Sequence, residues 1–168
     1  EKILNIHQAY VKAGARIIET NTFGGNALKL QEYGYENQFE EINRLAAQLA
    51  RQAAGPDIFV AGLIGPTGHF PRPLGDISFL SLKEVFRDQI RVLAESGVDL
   101  IYLQTFSDLG EARAALLAAK EVTDLPVAVS LTYDNHQRTL TGTNPQTAAA
   151  VFTAMGADIL GVNCSTGP

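Results

Sequence analysis

The sequence predicts an α/β protein of the (β/α)8 TIM-barrel type, on two observations. Short runs rich in Ile, Val and Leu alternate with amphipathic segments five times along 168 residues, the pattern of a parallel sheet covered by helices. Each apolar run ends in polar or glycine-rich residues: Thr20-Asn21-Thr22, Gly65-Pro66-Thr67-Gly68, Gln104-Thr105, Thr132-Tyr133-Asp134 and Asn163-Cys164-Ser165. A doubly wound sheet gathers function at one switch point, whereas a barrel builds its active site around the whole carboxyl rim, so polar ends on every run favour the barrel. A complete barrel takes about 250 residues. Residues 1–168 are therefore read as a single domain, an incomplete barrel roughly three strands short.

The elements follow in order. A first helix, carrying His7, closes at Gly14 and leads into a strand over Ala15 to Thr20. Phe39, Ile42, Leu45, Ala46 and Leu49 then recur at helical spacing, which predicts one buried face, ahead of a strand over Ile58 to Ile64. Ser81 with Glu84 has the spacing of a capping box, with Phe86, Ile90 and Leu93 as the apolar face that follows. The strand Val98 to Leu103 comes next, then a second box, Asp108 with Glu111, and a strand over Pro126 to Leu131. Asn144-Pro145 opens the last helix, because proline at the first helical position loses no needed hydrogen bond, and the last strand is Ala157 to Val162. Gly14, Gly97 and Gly156 supply the left-handed residue that stops a helix. The fragments Ala13 to Ile18, Ser96 to Ile101 and Met155 to Leu160 are nearly one repeated phrase around those glycines.

Composition narrows the function. The net charge is −5 and the 13 lysines and arginines are scattered, which argues against a nucleic-acid partner, since a phosphate backbone needs a basic stripe. No apolar run reaches the ~20 residues that cross a bilayer, and no basic-then-apolar leader opens the sequence, so no membrane partner and a cytoplasmic location are expected. A lone cysteine, Cys164, forms no internal disulfide and cannot by itself close a zinc site of about four ligands.

Several residues stand out at strand ends. On position alone Cys164 reads either as a soft metal ligand at the rim or as an ordinary small buried residue. Gln104 is either a satisfied polar group or a contact for the polar head of a substrate, while Asp108 reads as a helix cap. The turn Gly65 to Gly68 lacks the spacing and lysine of a phosphate loop and is read as structural shaping, with a rim loop following over His69 to Asp76. Glu19, in an apolar strand, needs a partner or a polar rim. His7, His69 and His136 have no companion at ligand spacing and are read as non-ligands, and Thr139 to Asn144 as a cap region. No strand ends in the lysine that a Schiff-base aldolase requires.

Taken together, Glu19-Thr20-Asn21-Thr22-Phe23-Gly24, Gly65-Pro66-Thr67-Gly68, Gln104-Thr105-Phe106-Ser107-Asp108, Leu140-Thr141-Gly142-Thr143 and Gly161-Val162-Asn163-Cys164 resemble the homocysteine S-methyltransferase family, most of all its cobalamin-dependent branch. The resemblance runs in order over essentially the whole chain. It implies a barrel that holds zinc through three cysteines, of which Cys164 matches the first, and it implies strands two to six of that barrel. The adjacent pair of cysteines and the first strand have no counterpart here and are expected outside Glu1 to Pro168. The implied function is activation of homocysteine as a thiolate for S-methylation to methionine. Methylcobalamin is the implied donor, and a cobalamin or folate carrier module the partner. Asn163, beside the ligand, is implied to orient the site.

One departure bears on the substrate. Where the family commonly has a glutamate before Thr-Phe-Ser-Asp, contacting the substrate ammonium, this chain has Gln104, and loss of that charge assistance would cost ~1–2 kcal/mol. A thiol other than homocysteine, or weaker binding, is the expected consequence. The alternative reading is a non-catalytic barrel fragment or interaction module, needing the missing strands or a partner chain, with two open strand edges that invite pairing.

Overall fold

The computed structural model describes residues 1–165, so of the segment Gly161 to Pro168 the residues Thr166, Gly167 and Pro168 lie outside the described residues. Helices and strands alternate: α1 (Lys2–Lys12), β1 (Ile17–Glu19), α2 (Ala27–Glu32), a 3-10 turn (Glu36–Gln38), α3 (Phe39–Ala54), β2 (Phe59–Ile64), α4 (Phe79–Glu95), β3 (Leu100–Phe106), α5 (Leu109–Val122), β4 (Val127–Leu131), α6 (Pro145–Ala154) and β5 (Ile159–Val162). The five strands form one sheet in the order β1-β2-β3-β4-β5, and all four pairings are parallel. A doubly wound sheet reverses its strand order at a switch point. Here the order never reverses, so every crossover steps the same way, as in a (β/α) barrel. Among the described residues no helix is long and apolar enough to cross a membrane.

The repeated glycine phrase has a structural purpose. Gly14, Gly97 and Gly156 adopt φ values of 100°, 83° and 83°, ending their helices as the sequence predicts. Two residues later, Asp99 accepts a bond from the Val60 amide at 2.6 Å and pairs with Arg51, while Asp158 accepts from the Val127 amide at 2.8 Å and from Lys120 at 2.9 Å. In both repeats the aspartate ties the start of its strand to the neighbouring strand and to a basic residue of the helix that leads into that neighbouring strand, α3 for Arg51 and α5 for Lys120.

The sheet has two distinct faces. Ile18, Val60, Ile64, Ile101, Leu103, Val127, Val129 and Leu131 bury against the helices with Phe86, Ile90, Leu93, Leu116 and Phe152, forming the core. The alternate residues Ile17, Glu19, Ala61, Leu100, Tyr102, Ala128, Ile159 and Gly161 line a cavity of about 270 Å³ on the other face, the face a closed barrel turns inward. The edges are open: Ile17 in β1 is 52% exposed and every residue of β5 is exposed.

Four expectations need correction. The cap of α4 is Ser78, whose hydroxyl accepts from the Ser81 amide at 3.0 Å, so Ser81 lies inside the helix, one turn past the boundary assigned to it. Asp108 caps α5 as expected, accepting from the Glu111 amide at 2.7 Å. The Glu111 carboxylate, however, does not reach back to the cap, because it is taken by Thr67. The face of α3 also differs: Leu45 is 49% exposed, and the buried positions are Asn43, Ala46, Ala47, Ala50 and Ala54. Small side chains let α3 lie close on β2 and α4, and Asn43 is buried because its amide donates to the Gly25 carbonyl at 2.8 Å and its oxygen accepts from Gln89 at 3.0 Å. Finally, β3 runs to Phe106 rather than ending at Leu103, through an irregularity at Gln104-Thr105.

Candidate functional site

The irregularity in β3 builds the site. Between Leu103 and Phe106 the pairing with β4 slips, and Thr105 takes a left-handed φ of 64°. A bulge of this kind redirects side chains beside functional sites, and a threonine at positive φ is a strained conformation that its surroundings must hold. Asn163, just beyond β5, holds it. The Asn163 Oδ1 accepts from the Thr105 amide at 3.1 Å and from Ser130 Oγ at 2.7 Å, and its Nδ2 donates to Thr105 Oγ1 at 2.6 Å and to Cys164 Sγ at 3.3 Å. Both lone pairs and both protons of the amide are used, so its orientation is determined by its partners.

Cys164 is itself left-handed, with φ 49°, and exposed. The Sγ also lies 3.8 Å from Thr105 Oγ1, and the Cys164 carbonyl accepts from Thr132 Oγ1 at 3.0 Å. One sulfur is therefore pinned at the carboxyl rim by the ends of β3, β4 and β5. Zinc would need about three protein ligands and an open position. Cys164 suits one of them, and among the described residues no group of three His, Cys, Asp or Glu side chains could hold a metal. His7 lies buried on α1, where burial lowers its pKa, and its Nε2 has no partner among the described residues.

Gln104 and Glu19 meet across the inner face, Gln104 Nε2 donating to Glu19 Oε1 at 3.1 Å. Burial raises the Glu19 pKa and the Gln104 bond opposes the rise. The partner that Glu19 needs is thus two strands away, a pairing no local pattern reveals. The structure gathers all three sequence-derived candidates, Gln104, Asn163 and Cys164, around Thr105. Thr105 and Ser130 were not singled out by function, and only the polar break in an apolar strand signalled them.

The rim turn is held from below. Thr67 donates to Glu111 Oε1 from its amide at 2.7 Å and from its hydroxyl at 2.6 Å, and a Cβ on Gly65 would stand 2.5 Å from the Phe23 carbonyl oxygen. The turn is therefore structural, as read. Glu111 is 2% exposed, and burial raises its pKa against the opposing Thr67 bonds. An acid with a raised folded pKa binds its proton more tightly in the fold than in the unfolded chain, so stability falls as pH rises from the ordinary carboxylate range through the raised value. Glu111→Gln removes that slope. Urea unfolding of the two proteins over this pH window is expected to show the wild type losing stability relative to the variant as pH rises; a constant gap would contradict it.

Over residues 1–168 the sequence matches the family Homocysteine S-methyltransferase. Methionine synthase from Mycobacterium leprae is 29% identical over 174 residues, which is 97% of this chain and 14% of that protein. The metallated crystal form of the homocysteine methyltransferase MmuM from Escherichia coli superposes with a TM-score of 0.84 at 21% identity, covering 96% of this chain and 62% of that one. Its oxidized form gives 0.85 at 22% identity, covering 96% and 61%. These likenesses show the fold, and the chain spans only part of the length of each relative.

Proposed function

Because the chain belongs to the homocysteine S-methyltransferase family, we propose that it is the zinc- and substrate-holding part of a (β/α)8 barrel that presents homocysteine as a thiolate for S-methylation to methionine. Methylcobalamin is the proposed donor, held on a separate carrier module of cobalamin or folate type, and the cytoplasm the proposed location. What supports the reading is the sulfur of Cys164, fixed at the carboxyl rim by Asn163 and Thr105 beside the Gln104-Glu19 pair.

In this reading Cys164 is one ligand of a zinc ion. Zinc, when bound, is a Lewis acid that competes with the proton for a substrate sulfur and so favours the thiolate at neutral pH. The protein's own residues do the positioning. Asn163, saturated by four bonds, holds the Cys164 sulfur and the β3 bulge in one arrangement, and Ser130 locks the amide from the inner face. Gln104 presents its amide at the rim toward the head of the amino acid.

The polypeptide carrying this chain is expected to purify with equimolar zinc, to release a proton on taking up homocysteine and to transfer methyl from methylcobalamin. The 168-residue chain alone is expected to hold zinc weakly and to turn nothing over. Full activity in zinc-free protein, or turnover by the isolated chain, overturns the reading. Absence of both homocysteine binding and methyl transfer from the polypeptide would favour the alternative, a non-catalytic barrel fragment or interaction module that pairs through its open β1 and β5 edges.

A further inference from the structure

A methyl group arriving at a thiolate-bound metal meets more than one nucleophile. The substrate sulfur is one, and each cysteine sulfur that holds the metal is another, since any thiolate can attack carbon. Cys164 is exposed at the rim, so burial does not protect it. Hydrogen bonds do. Among the described residues two donors face Cys164 Sγ: Asn163 Nδ2 at 3.3 Å and Thr105 Oγ1 at 3.8 Å. Asn163 also sets the direction of the second, because its Nδ2 donates to Thr105 Oγ1 at 2.6 Å. That oxygen is thereby an acceptor, and its own proton is left for the sulfur. Threonine holds this place only with a left-handed φ of 64°, which glycine would adopt without strain. A strained residue that carries a hydroxyl stands where an unstrained one without it would suit the backbone, which points to a use for the hydroxyl.

We propose that Thr105 is a specificity-determining residue: its hydroxyl, with the Asn163 amide, keeps the Cys164 sulfur from accepting the methyl group meant for the substrate sulfur. The count of lone pairs supports this. A cysteine thiolate has one bond to Cβ and three lone pairs. With one pair given to the metal, Asn163 and Thr105 engage the other two, and none is left for an electrophile. A substrate thiolate on the same metal keeps two free pairs, because both Asn163 Nδ2 protons and the Thr105 proton are already used. Methylation needs one such pair, which forms the bond from sulfur to carbon while the leaving group departs with the electrons of the bond that breaks. On Cys164 that step would turn an anionic ligand into a neutral thioether and damage the site. The assignment rests on the functional reading above and adds to it what separates the substrate sulfur from the ligand sulfur.

The test uses the whole zinc-loaded polypeptide that carries this chain and methyl iodide, a methyl donor that needs no carrier. The sulfur pair displaces iodide, and mass spectrometry of the Cys164 peptide reads the added methyl group. Thr105→Val keeps the branched shape and removes the hydroxyl. In that variant Cys164 is expected to be methylated about 10- to 100-fold faster than in the wild type, the effect of one charge-assisted hydrogen bond, with zinc still equimolar. Thr105→Ser keeps the hydroxyl and is expected to react at the wild-type rate. Thr105→Gly removes the hydroxyl together with the backbone strain, so it samples the same loss in a chain that keeps its bulge easily, and the faster methylation is expected there as well. Iodoacetamide, a bulkier reagent, is expected to gain the same factor in Thr105→Val as methyl iodide does. Equal methylation of Cys164 in the wild type and both hydroxyl-free variants overturns the assignment alone. A larger gain for iodoacetamide, a Thr105→Ser protein as reactive as Thr105→Val, or a rise seen only where zinc is lost also overturns it, each marking a structural role. A wild-type polypeptide that holds no zinc overturns the functional reading, and this assignment with it.

Discussion

Cys164→Ala in the polypeptide that carries this chain is expected to abolish both zinc retention and methyl transfer. Removing a residue that only orients a ligand costs about 10- to 100-fold in metal affinity, and removing the ligand itself costs more. Asn163→Ala sets the scale, because Asn163 touches the sulfur through a single donor at 3.3 Å while holding the bulge through Thr105. It is expected to fall in the 10- to 100-fold range, with activity partly restored by excess zinc, whereas Cys164→Ala is not restored. Metal analysis after dialysis against a chelator, with turnover at saturating zinc, separates the two. A Cys164→Ala protein that keeps equimolar zinc and full turnover would overturn the proposed role of this residue as a zinc ligand.

Phe86→Ala is expected to be among the most damaging core truncations, since Phe86 is one of the largest fully buried side chains. Phe86 is fully buried in α4, its ring 5.7 Å from that of Phe106 at the end of β3. Truncating a buried phenylalanine costs about 3–5 kcal/mol through lost transfer energy and the cavity left behind. A domain's whole stability is about 5–15 kcal/mol, so the variant is expected to sit near its unfolding threshold. Phe106 begins where the bulge ends, so loosening this contact also frees Thr105 and the site above it. Leu45→Ala is the control: at 49% exposed it is expected to change stability by about 0.5 kcal/mol or less. Urea unfolding of both variants checks the pair, and a Phe86→Ala loss below about 1 kcal/mol would contradict the packing described.

Where local pattern and structure differ, the cause is a partner distant in sequence or a bond that spacing alone does not select. Ser81 with Glu84 has the spacing of a capping box, but Ser78 stands three residues earlier, and only the bond it accepts from the Ser81 amide decides which serine ends the loop. Hydrophobic periodicity weighs large side chains and so puts Leu45 inside, while α3 buries alanines and an asparagine whose partners, Gly25 and Gln89, are far away in sequence. The spacing of Asp108 and Glu111 allows a capping box, but Thr67, on another loop, takes the Glu111 carboxylate with two short bonds.

What the sequence determined by itself is the part carried by near neighbours: the helix and strand alternation, the glycine stops, the Asp108 and Asn144 caps, and the polar strand ends that mark the rim. Those signals are local, because caps, turns and periodicity act within a few residues. The sequence also placed Asn163 and Cys164 at the end of a strand, and it marked Gln104 as the polar break in an apolar run, which in the structure is a bulge inside β3 and not the end of the strand. Only the tertiary structure decided what those residues do to one another. The Glu19-Gln104 bond spans 85 residues and the Thr105-Asn163 bonds span 58; they exist because parallel pairing, in an order that never reverses, brings the carboxyl ends of successive strands to one rim. The bulge at Thr105 belongs to the same class, because a left-handed threonine is unfavourable on its own and is held there by an asparagine arriving from β5.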